Sequence, residues 1–135
     1  MLGDSVVNIV DDDRAVRDAL GILIRSAGFR IAGYASAEAF LAEYNPALQG
    51  CLILDVRMEG MDGLTLQREM IARDIFMPII FLSGHGNLRM AVKALKAGAV
   101  TFIEKPFKES ELLSAVSEAI QIDVETRRKR MRQRT

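Results

Sequence analysis

Five short apolar runs, each followed by a segment of helical period, constrain this chain more than any single residue does. "SVVNIV" (5–10), "CLILDV" (51–56), "PIIFLS" (78–83) and "AVTFIE" (99–104) are rich in β-branched residues and lack clean polar alternation, the pattern of strands covered on both faces. "FRIAGYA" (29–35) differs: Phe29, Ile31, Gly33 and Ala35 fall on one side, and Arg30, Ala32 and Tyr34 on the other, which suits a sheet edge. Between the runs, Val16, Leu20, Leu23, Ile24 and Ala27 make one helical stripe, closed by Gly28. Ala37, Phe40, Leu41 and Tyr44 make a second, with Ser36 as N-cap and Pro46 beyond its end. A third helix starts near Asp62 and runs through Met70. A fourth carries Leu88, Ala91, Val92 and Leu95 and ends at Gly98. The fifth begins near Ser110 and turns Leu112, Leu113, Val116, Ala119 and Ile120 inward.

Strands that alternate with helices require an α/β domain, a parallel sheet with helices on both faces. A chain of 135 residues makes one such domain with a proper core. Right-handed crossovers leave few topologies, and the flavodoxin-like (βα)5 doubly wound sheet in order 2-1-3-4-5 is the one expected at this length.

The formal net charge of zero hides an asymmetry. "RRKRMRQR" (127–134) holds six of the 18 basic residues and no acid, which leaves 12 basic against 18 acidic groups in residues 1–126. An acidic body argues against nucleic-acid binding by that body. The single cysteine, Cys51, sits in an apolar run and reads as a small buried hydrophobe. One cysteine makes neither a metal site nor a disulfide framework. The opening "MLGDSVVNIVDDD" lacks the positive start of a signal peptide, and no apolar stretch reaches the roughly 20 residues of a membrane helix, so a cytoplasmic chain is expected.

In a doubly wound sheet, ligands bind beyond the carboxyl ends of the strands. There the first run ends at Asp11, Asp12 and Asp13, the third at Asp55, the fourth at Ser83 and the fifth at Lys105. Several carboxylates within a few ångströms raise one another's pKa, and a hard divalent cation such as Mg²⁺ removes the conflict while keeping room for a phosphate. Asp13 is better placed to cap the helix that starts at Arg14. A carboxylate such as Asp55 can attack phosphorus if charge on the phosphoryl oxygens is neutralised, for which Lys105 and the Ser83 hydroxyl stand ready.

With these residues in place, "IVDDD", "LILDVRMEGMDG", "FLSGHG", "AVKALKAGA" and "TFIEKPF" resemble the receiver domain of two-component response regulators, over residues 5–122. The later segments are most similar to receivers of nitrogen-fixation and aromatic-catabolism regulators with a LuxR-type helix-turn-helix output. The resemblance implies that Asp55 accepts a phosphoryl group from a sensor histidine kinase. It implies Asp12 and Asp55 as Mg²⁺ ligands, Asp11 acting largely through water, and the Arg57 carbonyl as a further ligand. Ser83 and Lys105 fill the positions that contact the phosphoryl group, and Phe102 that of a switch aromatic coupled to Ser83. A cis peptide is expected before Pro106. Partners would read the face built from the fourth helix, fifth strand and fifth helix, through which the phosphorylated chain would form a homodimer. Such a chain is not an enzyme beyond its own phosphorylation and dephosphorylation.

Two positions stand out. Glu59 occupies the place where the family usually has proline, and His85, the only histidine, follows Ser83 by two residues and either lies solvated or touches the water that hydrolyses an acyl phosphate. Residues 123–135 form a basic extension with no apolar stripe, read as a solvated helix end in preference to a nucleic-acid arm. The receiver would span residues 1–122, as part of a longer regulator that binds DNA through an output domain outside this chain, or as a stand-alone receiver or phosphorelay intermediate. A haloacid-dehalogenase-type phosphatase would want an acid at Arg57, a flavodoxin a Ser/Thr/Gly-rich loop where the aspartates stand, and a dinucleotide binder G-x-G-x-x-G at the same point.

Overall fold

Strands that carry apolar residues on both faces must be covered on both sides, and a computed structural model, which describes residues 4–84 and 87–134, has that arrangement. Strands β1 (Val6–Val10), β2 (Arg30–Tyr34), β3 (Gly50–Asp55), β4 (Ile79–Ser83) and β5 (Thr101–Glu104) alternate with helices α1 (Arg14–Ser26), α2 (Ala37–Glu43), α3 (Gly63–Ala72), α4 (Leu88–Lys96) and α5 (Glu109–Arg134). The sheet is parallel throughout and ordered β2-β1-β3-β4-β5, the expected flavodoxin-like order. The half-polar β2 lies at an edge.

Alternation along the strands divides the core. Val7, Ile9, Ile53 and Leu82 pack with Leu20 and Ile24 of α1 and with Leu112, Val116 and Ile120 of α5. Val10, Leu52, Leu54 and Phe81 pack on the other face with Phe40 of α2, Leu66 and Met70 of α3 and Ala94 of α4. Full burial of each large side chain contributes about 1.5–3 kcal/mol before the entropy of ordering it is set against it. Helix starts are fixed by side-chain caps: Asp13 accepts from the Ala15 and Val16 N–H groups, Ser36 from Ala39, Asp62 from Thr65 and Asn87 from Met90.

Two segments show what the sequence reading left open. The stripe of α4 does not face the sheet: Ala94 is buried, whereas Leu88, Val92 and Leu95 are 81%, 41% and 47% exposed. Helical period locates an apolar face without saying what covers it. The chain after Ile122 is a helix end whose residues 128–133 are exposed, as expected, but its first turn is partly buried. Helix α5 continues unbroken to Arg134, and Asp123 is fully buried.

Asp123 and Arg127, one helical turn apart, make this possible. The Gly50 N–H donates to Asp123 Oδ2 at 2.9 Å, and Arg127 Nε donates to both Asp123 oxygens at 2.9 and 3.0 Å. The other Arg127 nitrogens donate to the carbonyls of Pro46 and Leu48 in the α2–β3 connection. Gly50 itself has φ +133°, and a Cβ there would stand 1.9 Å from the Val6 carbonyl oxygen, so this point of β3 accepts only glycine. One turn farther on, the Arg130 guanidinium lies over the Phe76 ring, 5.0 Å from its centroid. Burial here is carried by charge pairing and backbone hydrogen bonds, to which an apolar pattern is blind.

Candidate functional site

The register of β1 and β3 pairs Val10 with Leu54, so Asp11 and Asp55 leave the same sheet edge side by side. Asp12 joins them, and one carboxylate oxygen from each of the three residues lies within 4.8 Å of the other two. Asp13 turns away to cap α1. Asp11 is buried, Asp55 half-buried and Asp12 exposed. Backbone donors hold all three: Asp13 N–H on Asp11 Oδ1 at 2.9 Å, Arg57 N–H on Asp55 Oδ1 at 3.2 Å and Glu59 N–H on Asp12 Oδ2 at 3.1 Å. Arg17, on the first turns of α1, donates to the Asp11 carbonyl at 2.7 Å.

Two unit charges 4 Å apart near a protein surface repel by about 4 kcal/mol, so the cluster is under electrostatic stress. Burial, chiefly, holds the Asp55 carboxyl above the usual carboxylate range, and the neighbouring Asp11 charge pushes the same way. Burial also raises Asp11, opposed by the Asp13 N–H and by Lys105. The Lys105 ammonium lies 3.9 Å from Asp11 Oδ2, and its charge favours the ionised forms of both Asp11 and Asp55. One ammonium against three carboxylates leaves an excess of negative charge. The donor set is oxygen only, and its members are close enough to share one ion, which suits a hard divalent cation such as Mg²⁺.

Ser83 and Lys105 flank the cluster. Leu82 pairs with Asp55 across β3 and β4, so the buried Ser83 stands one residue farther along the same edge. The Lys105 N–H donates to the Ser83 carbonyl at 2.8 Å, and the Lys105–Pro106 peptide is cis. Phe102, partly buried on β5, packs against Phe81 with ring centroids 6.0 Å apart. Arg57 is exposed and enters the cluster through its backbone. His85 lies outside the described residues. Burial, aided by the Asp123 charge, pushes the Cys51 thiol up to about 12, in keeping with a packing residue.

Residues 7–117 match the response regulator receiver domain family. The chain belongs to that family. This receiver domain is 51% identical over 119 residues to the response regulator protein TmoT of Ectopseudomonas mendocina, a match that covers 88% of the chain and 54% of TmoT. It is 44% identical over 110 residues to the transcriptional regulatory protein FixJ of Azorhizobium caulinodans, covering 82% of the chain and 52% of FixJ. The chain thus spans about half the length of the curated relatives it matches. Among solved structures, the response regulator StyR superposes with a TM-score of 0.91 at 43% identity, over 96% of this chain and 66% of that one. The chain is therefore the receiver domain of a two-component response regulator.

Sequence reasoning missed two residues that touch this machinery. Glu38, in the first turn of α2, accepts from the Met61 N–H at 3.3 Å, yet by position it reads as an ordinary acid near a helix start. Arg17 reads as a solvated residue of α1. No spacing rule links either to the site, because each reaches it through a backbone group of a loop.

Proposed function

We propose that Asp55 is the phospho-acceptor of this receiver, taking a phosphoryl group from the phosphohistidine of a sensor histidine kinase. The observation that carries the reading is the meeting of the Asp11, Asp12 and Asp55 carboxylates with the Lys105 ammonium at one sheet edge. An Asp55 carboxylate oxygen attacks phosphorus, the bond from phosphorus to the histidine nitrogen breaks, and an acyl phosphate forms. Lys105 supplies positive charge to the phosphoryl oxygens, and the Ser83 hydroxyl stands at the same edge to donate to them. Asp11, Asp12, Asp55 and the Arg57 carbonyl would hold Mg²⁺, which when bound would supply positive charge to phosphoryl oxygens. Hydrolysis of the acyl phosphate is the only turnover the chain would perform.

Phosphorylation would draw Ser83 toward Asp55, let Phe102 rotate, and change the face of α4, β5 and α5. The exposed Leu88, Val92 and Leu95 give that face an apolar stripe suited to a second copy of the chain. Residues 1–122 would be the receiver proper and 123–135 the linker helix to a DNA-binding output domain, a reading supported by the similarity to FixJ, a transcriptional regulatory protein. No helix among the described residues is long and apolar enough to cross a membrane, and a cytoplasmic setting fits a kinase partner.

Incubation with Mg²⁺ and acetyl phosphate, read by intact mass, tests the reading. One phosphoryl group should add to the wild type and none to Asp55→Asn. Equal addition to both would refute Asp55 as the acceptor.

A further inference from the structure

The connection from β3 to α3 is held by a row of carboxylates. Three alternate N–H groups each donate to one: Arg57 to Asp55 at 3.2 Å, Glu59 to Asp12 at 3.1 Å and Met61 to Glu38 at 3.3 Å. The first two acceptors belong to the acid cluster. The third comes from α2, on a different part of the chain. Gly60, between the last two donors, has φ +75° and passes so close to Glu38 that a Cβ there would lie 2.9 Å from its Oε2. The loop therefore rests on Glu38 at two consecutive residues. The cap of α2 is the Ser36 hydroxyl, bonded to the Ala39 N–H, so the Glu38 carboxylate is left to serve the loop.

We propose that Glu38 is a positioning residue for the acid site: it pins the outer end of this loop so that the Glu59 N–H stays on Asp12 and keeps that carboxylate oriented for a cation. The proposal rests on the reading of the cluster as a Mg²⁺ site. A carboxylate anchored through one oxygen loses less freedom when it takes a metal, and groups behind a ligand commonly set its affinity in this way. Residue 59 acts here through its backbone N–H, which a proline at that position would lack. Glu38 thus matters to the cation without contacting it.

The test uses the full chain and MgCl₂ alone, titrated by amide NMR, with Glu38→Ala and Glu38→Gln. Glu38→Ala should raise the Mg²⁺ Kd about fivefold, the scale of the net worth of one ordinary hydrogen bond. Glu38→Gln keeps an oxygen that accepts from Met61 and should stay within about twofold of wild type. Solvent exchange of the Glu59 amide, measured without Mg²⁺, should rise in Glu38→Ala and not in Glu38→Gln. An unchanged Kd and exchange rate in Glu38→Ala would overturn the proposal, as would Glu38→Gln weakening Mg²⁺ as much as alanine, since charge and not the hydrogen bond would then act. If wild type binds no Mg²⁺, the metal reading fails, and the metal-free exchange of Glu59 alone decides whether Glu38 holds the loop.

Discussion

Asp123→Ala removes the acceptor on which the far end of α5 depends. In the native fold the fully buried carboxylate takes the Gly50 N–H at 2.9 Å and Arg127 Nε at 2.9 and 3.0 Å. Leaving a buried N–H unpaired costs about 1–3 kcal/mol, and removing one partner of a buried ion pair costs about 3–5 kcal/mol. The Arg127 side chain is 25% exposed and keeps the Pro46 and Leu48 carbonyls, so water and those oxygens absorb part of the loss. The expected destabilisation is therefore about 2–4 kcal/mol, read as a lower urea midpoint at unchanged m-value. Asp123→Asn retains an oxygen for Gly50 while losing the charge, and should cost less, about 1–2 kcal/mol. A double-mutant cycle with Arg127→Ala should give a coupling of at least about 1 kcal/mol. A change under about 0.5 kcal/mol in Asp123→Ala, or an asparagine variant as unstable as the alanine one, would refute the idea that this carboxylate holds the helix down.

Two further outcomes follow from the acid edge and the switch face. Asp55 has a folded-state pKa above its unfolded value, so its contribution to stability is present in acid and is lost as pH rises through the raised value. In chelator at neutral pH, Asp55→Asn should thus melt above wild type, modestly because the group is half-buried and screened. The gap should close on acidification toward the ordinary carboxylate range, and a gap independent of pH would contradict the electrostatic account. Phe102→Ala should still take a phosphoryl group from acetyl phosphate, lose about 1–3 kcal/mol of packing against Phe81, and associate more weakly once phosphorylated. Sedimentation velocity showing unaltered association would count against a switch role for Phe102.

Much of the fold is written in local pattern. Gly28 closes α1 and Asp13 opens it because caps depend on near neighbours, and the strand order follows from alternation and crossover handedness. The approach of Asp11 to Asp55 was legible too, since every parallel strand delivers its last residue to the same edge. The buried Asp123 was not: its Gly50 partner is 73 residues away in sequence, and neither residue belongs to an apolar pattern. Glu38 escaped for the same reason, its donor lying 23 residues downstream in a loop. The outward turn of Leu88, Val92 and Leu95 escaped because periodicity marks a face without naming its neighbour.

Helix α5 has 26 residues, about 39 Å of rod at 1.5 Å per residue, against a sheet whose strands are half that length. It sets out from the rim that carries Asp11 and Asp55, just past Lys105, and is riveted to the opposite rim at Gly50, so its final turns run on past the starting edge of the strands. A single stiff rod thus spans the sheet from the acid-bearing edge to the opposite one, and carries its basic last turns away from the aspartates.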